Sequence, residues 1–557
     1  MDMKRWQKIT VAVSALAVVA GGLAYLNRKA LILYAVTHVE RPEIGPNVPV
    51  VWAQGPVTAS MPAAQRPPNI IFILADDLGI NDISTFGGGL AGGRLKTPNI
   101  DSLAAQGALF DQAYAGNGTC APSRAMLMTG RYPTRTGYEF TPTPDGMGRI
   151  VKMFADGAQG GRPPVAYNRD VAESAPSYAD QGLPGSEITL AEVLKTRGYR
   201  TAHIGKWHLG DRGESSPNAQ GFDESLLMAN GLHLPENAPN VVNAKLASDP
   251  IDKFLWARMQ FAAAFNGGKL FEPAGYLADY WTDESIKYIE ANKNRPFFLY
   301  LAHWGIHTPL QATKADFDAV GDIRPHRLRV YAAMTRALDR SVGRIVEKLK
   351  QAGLSDNTII VFSSDNGGAG YIDIPDVNKP YRGWKLTLFE GGIKVPMFVK
   401  WPARIRPGTH VTTPVAHIDV MPTLAGAGGA ALPEGVEIDG RDMMPAAMGK
   451  GRITRPNDAL FWQSGYNQVV RAGDWKLLVD GKQNKNWLFN LKTDPTERTN
   501  LAVANASKVA DLKALLAAHH KGRKPALFPY TLESAITIDK TAGEPFVKGD
   551  EVAWWPN

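Results

Sequence analysis

Four stretches of the chain read as strands covered on both faces. They are Asn69-Ile70-Ile71-Phe72-Ile73-Leu74, Arg200-Thr201-Ala202-His203-Ile204, Pro296-Phe297-Phe298-Leu299-Tyr300-Leu301 and Thr358-Ile359-Ile360-Val361-Phe362. A strand with one wet face alternates apolar and polar residues, whereas a near-continuous apolar run fits a parallel sheet buried between helices. Helical patterns lie between these runs. Residues Glu187 to Arg197 carry Leu190, Val193 and Leu194 on one face and stop at Gly198, and a longer pattern from Arg327 to Ala352 stops at Gly353. Gly is the favoured residue just past a helix end. Strands alternating with helices predict an α/β fold with a large, mixed but mostly parallel sheet flanked by helices.

The texture changes after about residue 450. Ala459-Leu460-Phe461-Trp462, Gln468-Val469-Val470-Arg471, Trp475-Lys476-Leu477-Leu478-Val479 and Trp487-Leu488-Phe489-Asn490 are short and separated by turn residues. They predict a small antiparallel sheet, with Val509 to His519 as a helix packed on it. The division expected is a main catalytic domain over 69–450 and a smaller α+β subdomain with its tail over 451–557.

At the N-terminus, Lys4, Arg5 and Lys8 precede an apolar run from Ile9 to Leu26. Residues 1–30 read as a signal anchor or a signal peptide, with Gly22-Leu23-Ala24 as a small-residue cleavage site. Either reading predicts export, to the periplasm or to a membrane-anchored position facing away from the cytosol. In the anchored case residues 9–26 form the membrane tether. Arg28 and Lys29 on the far flank weaken the orientation signal. The proline-rich residues 31–68 read as a linker. Residues 251–271 hold Phe254, Leu255, Trp256, Met259, Phe261 and Phe265, which predicts a buried helix, with a membrane-surface or substrate-lining element as the alternative.

Composition narrows the function. Hydrophobic residues make up 44% and charged residues 21%, which fits a folded protein and excludes wholesale disorder. The net charge of +7 is small for this length and comes without a Lys/Arg block, so no nucleic-acid partner is expected. A single cysteine, Cys120, excludes an intramolecular disulfide and a thiolate zinc cluster.

Polar chemistry gathers behind the predicted strands. Asp76-Asp77 follow the first, Lys206 and His208 the second, His303 and His307 the third, and Asp365-Asn366 the fourth. In open α/β sheets ligands bind beyond the carboxyl ends of the strands, so these residues are predicted to share one edge. Asp76, Asp77, Asp365 and Asn366 are hard oxygen donors suited to Ca²⁺ or Mg²⁺ rather than zinc. Adjacent carboxylates at a strand end are unfavourable unless a cation neutralises them. Pro122 fits a helix's first turn and Gly130 its end, which places Cys120 at a helix N-terminus, where negative charge is favoured. The residues alone leave open an inert buried thiol or a thiolate activated by histidine.

The segment Cys120-Ala121-Pro122-Ser123-Arg124, continued by Thr129-Gly130-Arg131-Tyr132-Pro133, resembles the Cys-x-Pro-x-Arg signature of the type I sulfatases. Thr97-Pro98-Asn99-Ile100-Asp101, Gly205-Lys206-Trp207-His208-Leu209-Gly210, Ser364-Asp365-Asn366-Gly367-Gly368, Glu390-Gly391-Gly392 and Asp494-Pro495-Thr496-Glu497 are similar to further family blocks in family order. The resemblance runs from about 69 to 505 and is nearest to arylsulfatase A-type enzymes of the alkaline phosphatase-like superfamily. It implies that a formylglycine-generating maturation enzyme oxidises Cys120 to formylglycine, whose hydrate is the nucleophile. It implies Asp76, Asp77, Asp365 and Asn366, with residue 120, as holders of a metal, usually Ca²⁺. It implies Arg124 as stabiliser of the aldehyde hydrate, Lys206 and Lys385 as sulfate-binding groups, His307 as the acid that protonates the leaving alcohol, and His208 as the base that releases sulfate. His303 competes with His307, but His307-Thr308-Pro309 fits the family segment better. The expected reaction is hydrolysis of a small-molecule or carbohydrate sulfate ester. A formylglycine-dependent phosphonate or phosphate ester hydrolase is the rival reading, and a non-catalytic binder of sulfated ligands a third.

Overall fold

The computed structural model describes residues 3–29, 31, 41–156, 161–246 and 250–557. Nine strands form the main sheet: β1 (Asn69–Ala75), β2 (Ala108–Phe110), β3 (Arg200–Gly205), β4 (Glu224–Met228), β5 (Ala263–Phe265), β6 (Phe297–His303), β7 (Thr358–Ser364), β8 (Met397–Lys400) and β9 (Thr409–Val411). Their spatial order is β9-β2-β8-β7-β1-β6-β3-β4-β5. The central strands β7, β1, β6, β3 and β4 are mutually parallel, while β8 and β5 join antiparallel to β7 and β4. The four predicted strands are therefore β1, β3, β6 and β7, adjacent at the centre of the sheet.

Their continuous apolar sequence has a direct cause. Ile70, Phe72 and Leu74 of β1 enter one core and Ile71, Ile73 and Ala75 the other, so alternation would put polar groups into a core. Helix α1 is Met3–Leu26, α2 is Cys120–Thr129, α3 is Leu277–Asn292 and α4 is His326–Gln351. Helices α3 and α4 cover one face through Trp281, Tyr288, Leu338, Val342 and Ile345. On the other face α2 contributes Ala121, Ala125, Leu127 and Met128.

Three N-terminal expectations meet different outcomes. The apolar run does form α1, with Leu16, Val18 and Leu26 exposed. Among the described residues, however, no helix is long and apolar enough to cross a membrane, so the tether through residues 9–26 does not meet that requirement. Residues 32–40 of the expected linker lie outside the described residues, but its later part packs on the fold. Val50 and Trp52 are buried, and the Trp52 indole N–H donates to Glu284 on α3 at 2.9 Å. The stretch 251–271 is a helix for its first part alone, Pro250–Arg258. The chain then extends into edge strand β5, and Phe271 bridges back to Ala263.

The C-terminal part holds β10 (Ala459–Ser464), β11 (Asn467–Ala472), β12 (Trp475–Asp480) and β13 (Lys485–Asn490), an antiparallel meander. Helix α5 (Ala506–His520) packs Val509, Leu512 and Leu516 on Val470, Leu477 and Leu488. Trp462, Val469, Leu478 and Trp487 pack instead against Tyr114, Met126 and Phe389, which belong with the main sheet's part of the chain. At that junction the wholly buried Lys476 ammonium lies 2.8 Å from Glu390 and 2.9 Å from Glu497. Glu497 also accepts the Glu390 backbone N–H at 2.6 Å. Burial works against ionisation of Glu390, but Lys476, Lys394 and Arg471 outweigh it and hold that carboxyl down. At Glu497 burial wins over Lys476 and pushes the carboxyl up. The glycines after Glu390 are required by close backbone approach: a Cβ on Gly391 would lie 2.2 Å from the Gly383 oxygen, and one on Gly392 would lie 2.1 Å from that of Thr387.

Removing the cation from this junction would strand buried carboxyls. Lys476→Met should lower unfolding stability by about 3–5 kcal/mol in urea titrations. A loss under about 1 kcal/mol would show that the carboxyls protonate at little cost and that the ion network does not hold the two sheets together.

Candidate active site

The carboxyl ends of β7, β1, β6 and β3 are level. Ala75 stands opposite both Ser364 and His303, and Gly205 stands opposite Ala302. The residues that follow are thus delivered to one edge: Asp76-Asp77, Asp365-Asn366, Lys206 and His307. Asp77 and His208 adopt positive φ, 61° and 64°, a region that costs most residues energy and that functional sites often hold.

Cys120 opens α2, with Thr119 as its extended N-cap. Its sulfur lies 3.7 Å from Asp76 Oδ1 and 3.8 Å from Asp77 Oδ1. Burial first, and then the charge of Asp365, push the thiol pKa up. As it stands, Cys120 is a neutral thiol and not an activated thiolate. Arg124 lies one helical turn on, on the same face of α2. It is fully buried and joins three strand ends. Its Nε and Nη2 donate to Asp365 Oδ2 at 3.0 and 2.8 Å, Nη2 also reaches Asp76 at 2.7 Å, and Nη1 donates to the Lys206 carbonyl at 2.5 Å.

Two lysines complete the charge balance. Lys206 pairs with Asp76 at 2.8 Å and Lys385 with Asp77 at 2.5 Å. Burial opposes ionisation of Asp76, yet Lys206, His307, Arg124 and Lys385 together hold its carboxyl far below the usual range. At Asp77, Lys385 and His307 outweigh burial in the same way. Asp365 goes the other way, raised by burial and by repulsion from Asp76.

Of the two histidines after β6, His307 reaches these groups. Its Nδ1–H donates to the Thr308 carbonyl at 2.7 Å. That leaves Nε2 facing Asp77 at 3.5 Å, Asp76 at 3.8 Å and Lys385 at 3.4 Å. Burial brings His307 down to about 4 against the pull of Asp77 and Asp76; an anion bound beside it would raise it again. His303 instead accepts the Gly305 N–H at 2.9 Å and braces the turn. His208 is half-buried, with its buried Nδ1 unpartnered, and desolvation followed by Lys206 pushes its pKa down and keeps it neutral.

The donor set fits a divalent cation. Asp76, Asp77, Cys120 and His307 each offer a ligand atom, all within 4.8 Å of one another. Asn366 donates from Nδ2 to Asp77 at 2.8 Å while its buried Oδ1 has no partner, an oxygen left for a cation. Asp365 sits at the border, held by Arg124 and by the Asp77 N–H at 3.2 Å.

Some participants carry no sequence signal. The Tyr371 hydroxyl donates to Asp77 at 2.9 Å. Trp384, next to Lys385, donates its indole N–H to the carbonyls of Thr537 and Lys540 at 3.0 and 3.1 Å. Arg382 pairs with Asp539 at 2.7 Å and with Glu551. The C-terminal tail thus grips the loop that presents Lys385, a contact between segments too distant in the chain for any local pattern to announce.

The Sulfatase family matches residues 68–430, and the family described as N-sulphoglucosamine sulphohydrolase, C-terminal, matches 383–522. Steryl-sulfatase of Mus musculus is 31% identical, over 76% of this chain and 71% of its own length. N-acetylgalactosamine-6-sulfatase of Canis lupus familiaris is 30% identical over 86% and 84%. The crystal structure of Ps i-CgsB in complex with k-i-k-neocarrahexaose superposes with a TM-score of 0.68 at 30% identity, covering 83% of this chain and 95% of that one. A signature cysteine set among strand-end carboxylates and lysines, and these matches over most of the length, give one conclusion: the chain belongs to the sulfatase family, with the alkaline phosphatase-like fold, and is a sulfuric ester hydrolase.

Proposed function

We propose that the protein hydrolyses the sulfate ester of a carbohydrate or small alcohol through formylglycine made from Cys120. The observation that carries this reading is the Cys120 sulfur at the N-terminus of α2, within 3.7 and 3.8 Å of Asp76 and Asp77. A formylglycine-generating maturation enzyme would oxidise the Cβ of Cys120 to an aldehyde, breaking its bond to sulfur, which leaves. The hydrated aldehyde supplies one hydroxyl, which passes its proton to a neighbouring strand-end carboxylate as it attacks sulfur, and a second whose loss of a proton expels sulfate. Lys206 and Lys385 then bind the sulfuryl oxygens, and Arg124 stabilises the hydroxyls at residue 120. His307 delivers a proton from Nε2 to the leaving oxygen, so the alcohol departs neutral. His208 takes the proton from the second hydroxyl, the carbon–oxygen bond to sulfate breaks and the aldehyde returns.

Asp76, Asp77, Asn366 and residue 120, with Asp365 alongside, would hold a divalent cation, Ca²⁺ before Mg²⁺, which adds positive charge beside the sulfuryl oxygens. The relatives' names span a hexosamine sulfate and a steryl sulfate, and the neocarrahexaose complex supports a carbohydrate. The rival phosphonate or phosphate ester reading has less support, because the matching families and the relatives above are sulfatases. Export remains part of the reading and rests on the basic stub and apolar run of residues 1–30, with residues 69–450 as the catalytic domain and 451–557 as its smaller companion.

Mass spectrometry of the Cys120 peptide from active protein made in its native host should show the aldehyde, and Cys120→Ala should lose turnover while keeping its melting temperature. Active protein carrying unmodified cysteine throughout would sink the mechanism. Turnover of a panel of carbohydrate, steryl and aryl sulfates beside phosphate and phosphonate esters identifies the alcohol and decides between a sulfuryl and a phosphoryl centre together.

Metal binding has its own readout. Ca²⁺ at 100 times its dissociation constant should stabilise chelator-treated protein by about 2.7 kcal/mol, with Asp77→Asn losing most of the response. A larger response to Mg²⁺ than to Ca²⁺ would overturn the choice of ion.

A further inference from the structure

His307 ends a row of four rings. Tyr276 lies over His233 with centroids 5.9 Å apart and planes at 25°, His233 over Trp304 at 6.0 Å and 29°, and Trp304 over His307 at 4.0 Å and 23°. Each ring is also pinned by a hydrogen bond. The Tyr276 hydroxyl donates to the Gln311 carbonyl at 3.0 Å, and the Trp304 indole N–H donates to the Gly231 carbonyl at 3.0 Å. His233 Nε2–H donates to the backbone carbonyl of His307 itself at 3.0 Å. Gly231 lies close against the row: a Cβ there would meet Met259 Sδ at 2.4 Å and Trp304 Cζ2 at 3.2 Å. The Lys206 ammonium sits 4.8 Å from the Trp304 ring centroid, so one indole touches two of the groups assigned to the reaction.

The geometry points to Trp304 and His233 as positioning residues that fix the direction of His307 Nε2. The inference rests on the reading of His307 as proton donor. The bond from Nδ1 to Thr308 is local and moves with the turn. It does not by itself fix the His307 end of the turn, which His303 braces only at Gly305, and a donor displaced by an ångström loses much of its effect. His233 ties the turn down through the His307 carbonyl, and Trp304 lies flat on the imidazole and blocks its rotation. Ring stacking of this kind supplies orientation beyond the area it buries. His233, Gly231 and Tyr276 come from residues 211–280, a stretch distant in sequence from the strand-end motifs, and the row joins that stretch to His307.

Proton delivery matters most when the leaving alcohol is a poor one, and the test uses that. Matured, metal-loaded full-length protein is assayed for kcat and kcat/KM on aryl sulfates graded from 4-nitrophenyl to 4-methoxyphenyl sulfate. Trp304→Leu should lose about 100-fold on the poorest leaving group and a few-fold on the best, so that the dependence on leaving-group acidity steepens. His233→Gln should steepen it less, and Trp304→Phe, which keeps a flat ring, should recover most of the loss. A loss of equal size across the series, or no loss, in both Trp304→Leu and His233→Gln overturns the inference. If Trp304→Leu does not fold, Trp304→Phe and His233→Gln decide by the same slope. His307→Ala is the reference. A graded loss there with an even loss in the other variants sinks the inference alone, whereas an even loss in His307→Ala sinks the proton-donor reading and the inference with it.

Discussion

Three buried carboxylates at the end of a parallel sheet are the constraint on which the rest of this molecule turns. Asp76, Asp77 and Asp365 are buried together, and like charges so placed repel strongly. Arg124, Lys206 and Lys385 answer them directly. The spacing of the signature follows from this need. Cys120 and Arg124 stand one turn apart on α2, so the helix that presents the sulfur to Asp76 and Asp77 also inserts the guanidinium between Asp76 and Asp365. Removing Arg124 takes from Asp365 its paired cation, and removing Lys385 takes from Asp77 its lysine, so chemistry and stability are tied together at this edge.

The same cluster needs support from outside the sheet. Lys385 sits on a loop with no strand behind it, and that loop is held at several points. Gly367 and Gly392 bond backbone to backbone at 2.9 Å, Glu390 is fixed by Glu497 and Lys476, and Trp384 and Arg382 are gripped by the tail near Thr537 to Glu551. The C-terminal antiparallel sheet therefore acts on the site through the position of a lysine, without contributing a reacting group.

The parallel core was legible because burial on both faces leaves a one-dimensional mark. β1, β3, β6 and β7 are apolar runs, and the rule that ligands gather beyond strand ends joined Asp76, Lys206, His307 and Asp365 before any coordinates. Cys120 and its helix were legible from Pro122 and Gly130. What escaped depends on contacts between distant segments. Residues 251–271 looked like one helix because apolar content does not distinguish a helix from a sheet-edge strand. The linker looked free because proline richness says nothing about where Trp52 docks. Tyr371, His233 and the tail carbonyls have no local pattern at all, since each acquires its role from a partner dozens or hundreds of residues away.

The electrostatics also explain why this edge suits the proposed aldehyde hydrate better than an unmodified Cys120 thiol. A thiol beside Asp76, Asp77 and Asp365 is pushed toward its neutral form, and the histidines nearby are kept neutral by burial. A thiolate would have to form against both effects. A hydrate meets neither obstacle: it enters uncharged, makes hydrogen bonds to the carboxylates already present, and yields its protons one at a time to bases held in place. The surroundings that disable Cys120 as a nucleophile are those that a neutral diol at the same position can use.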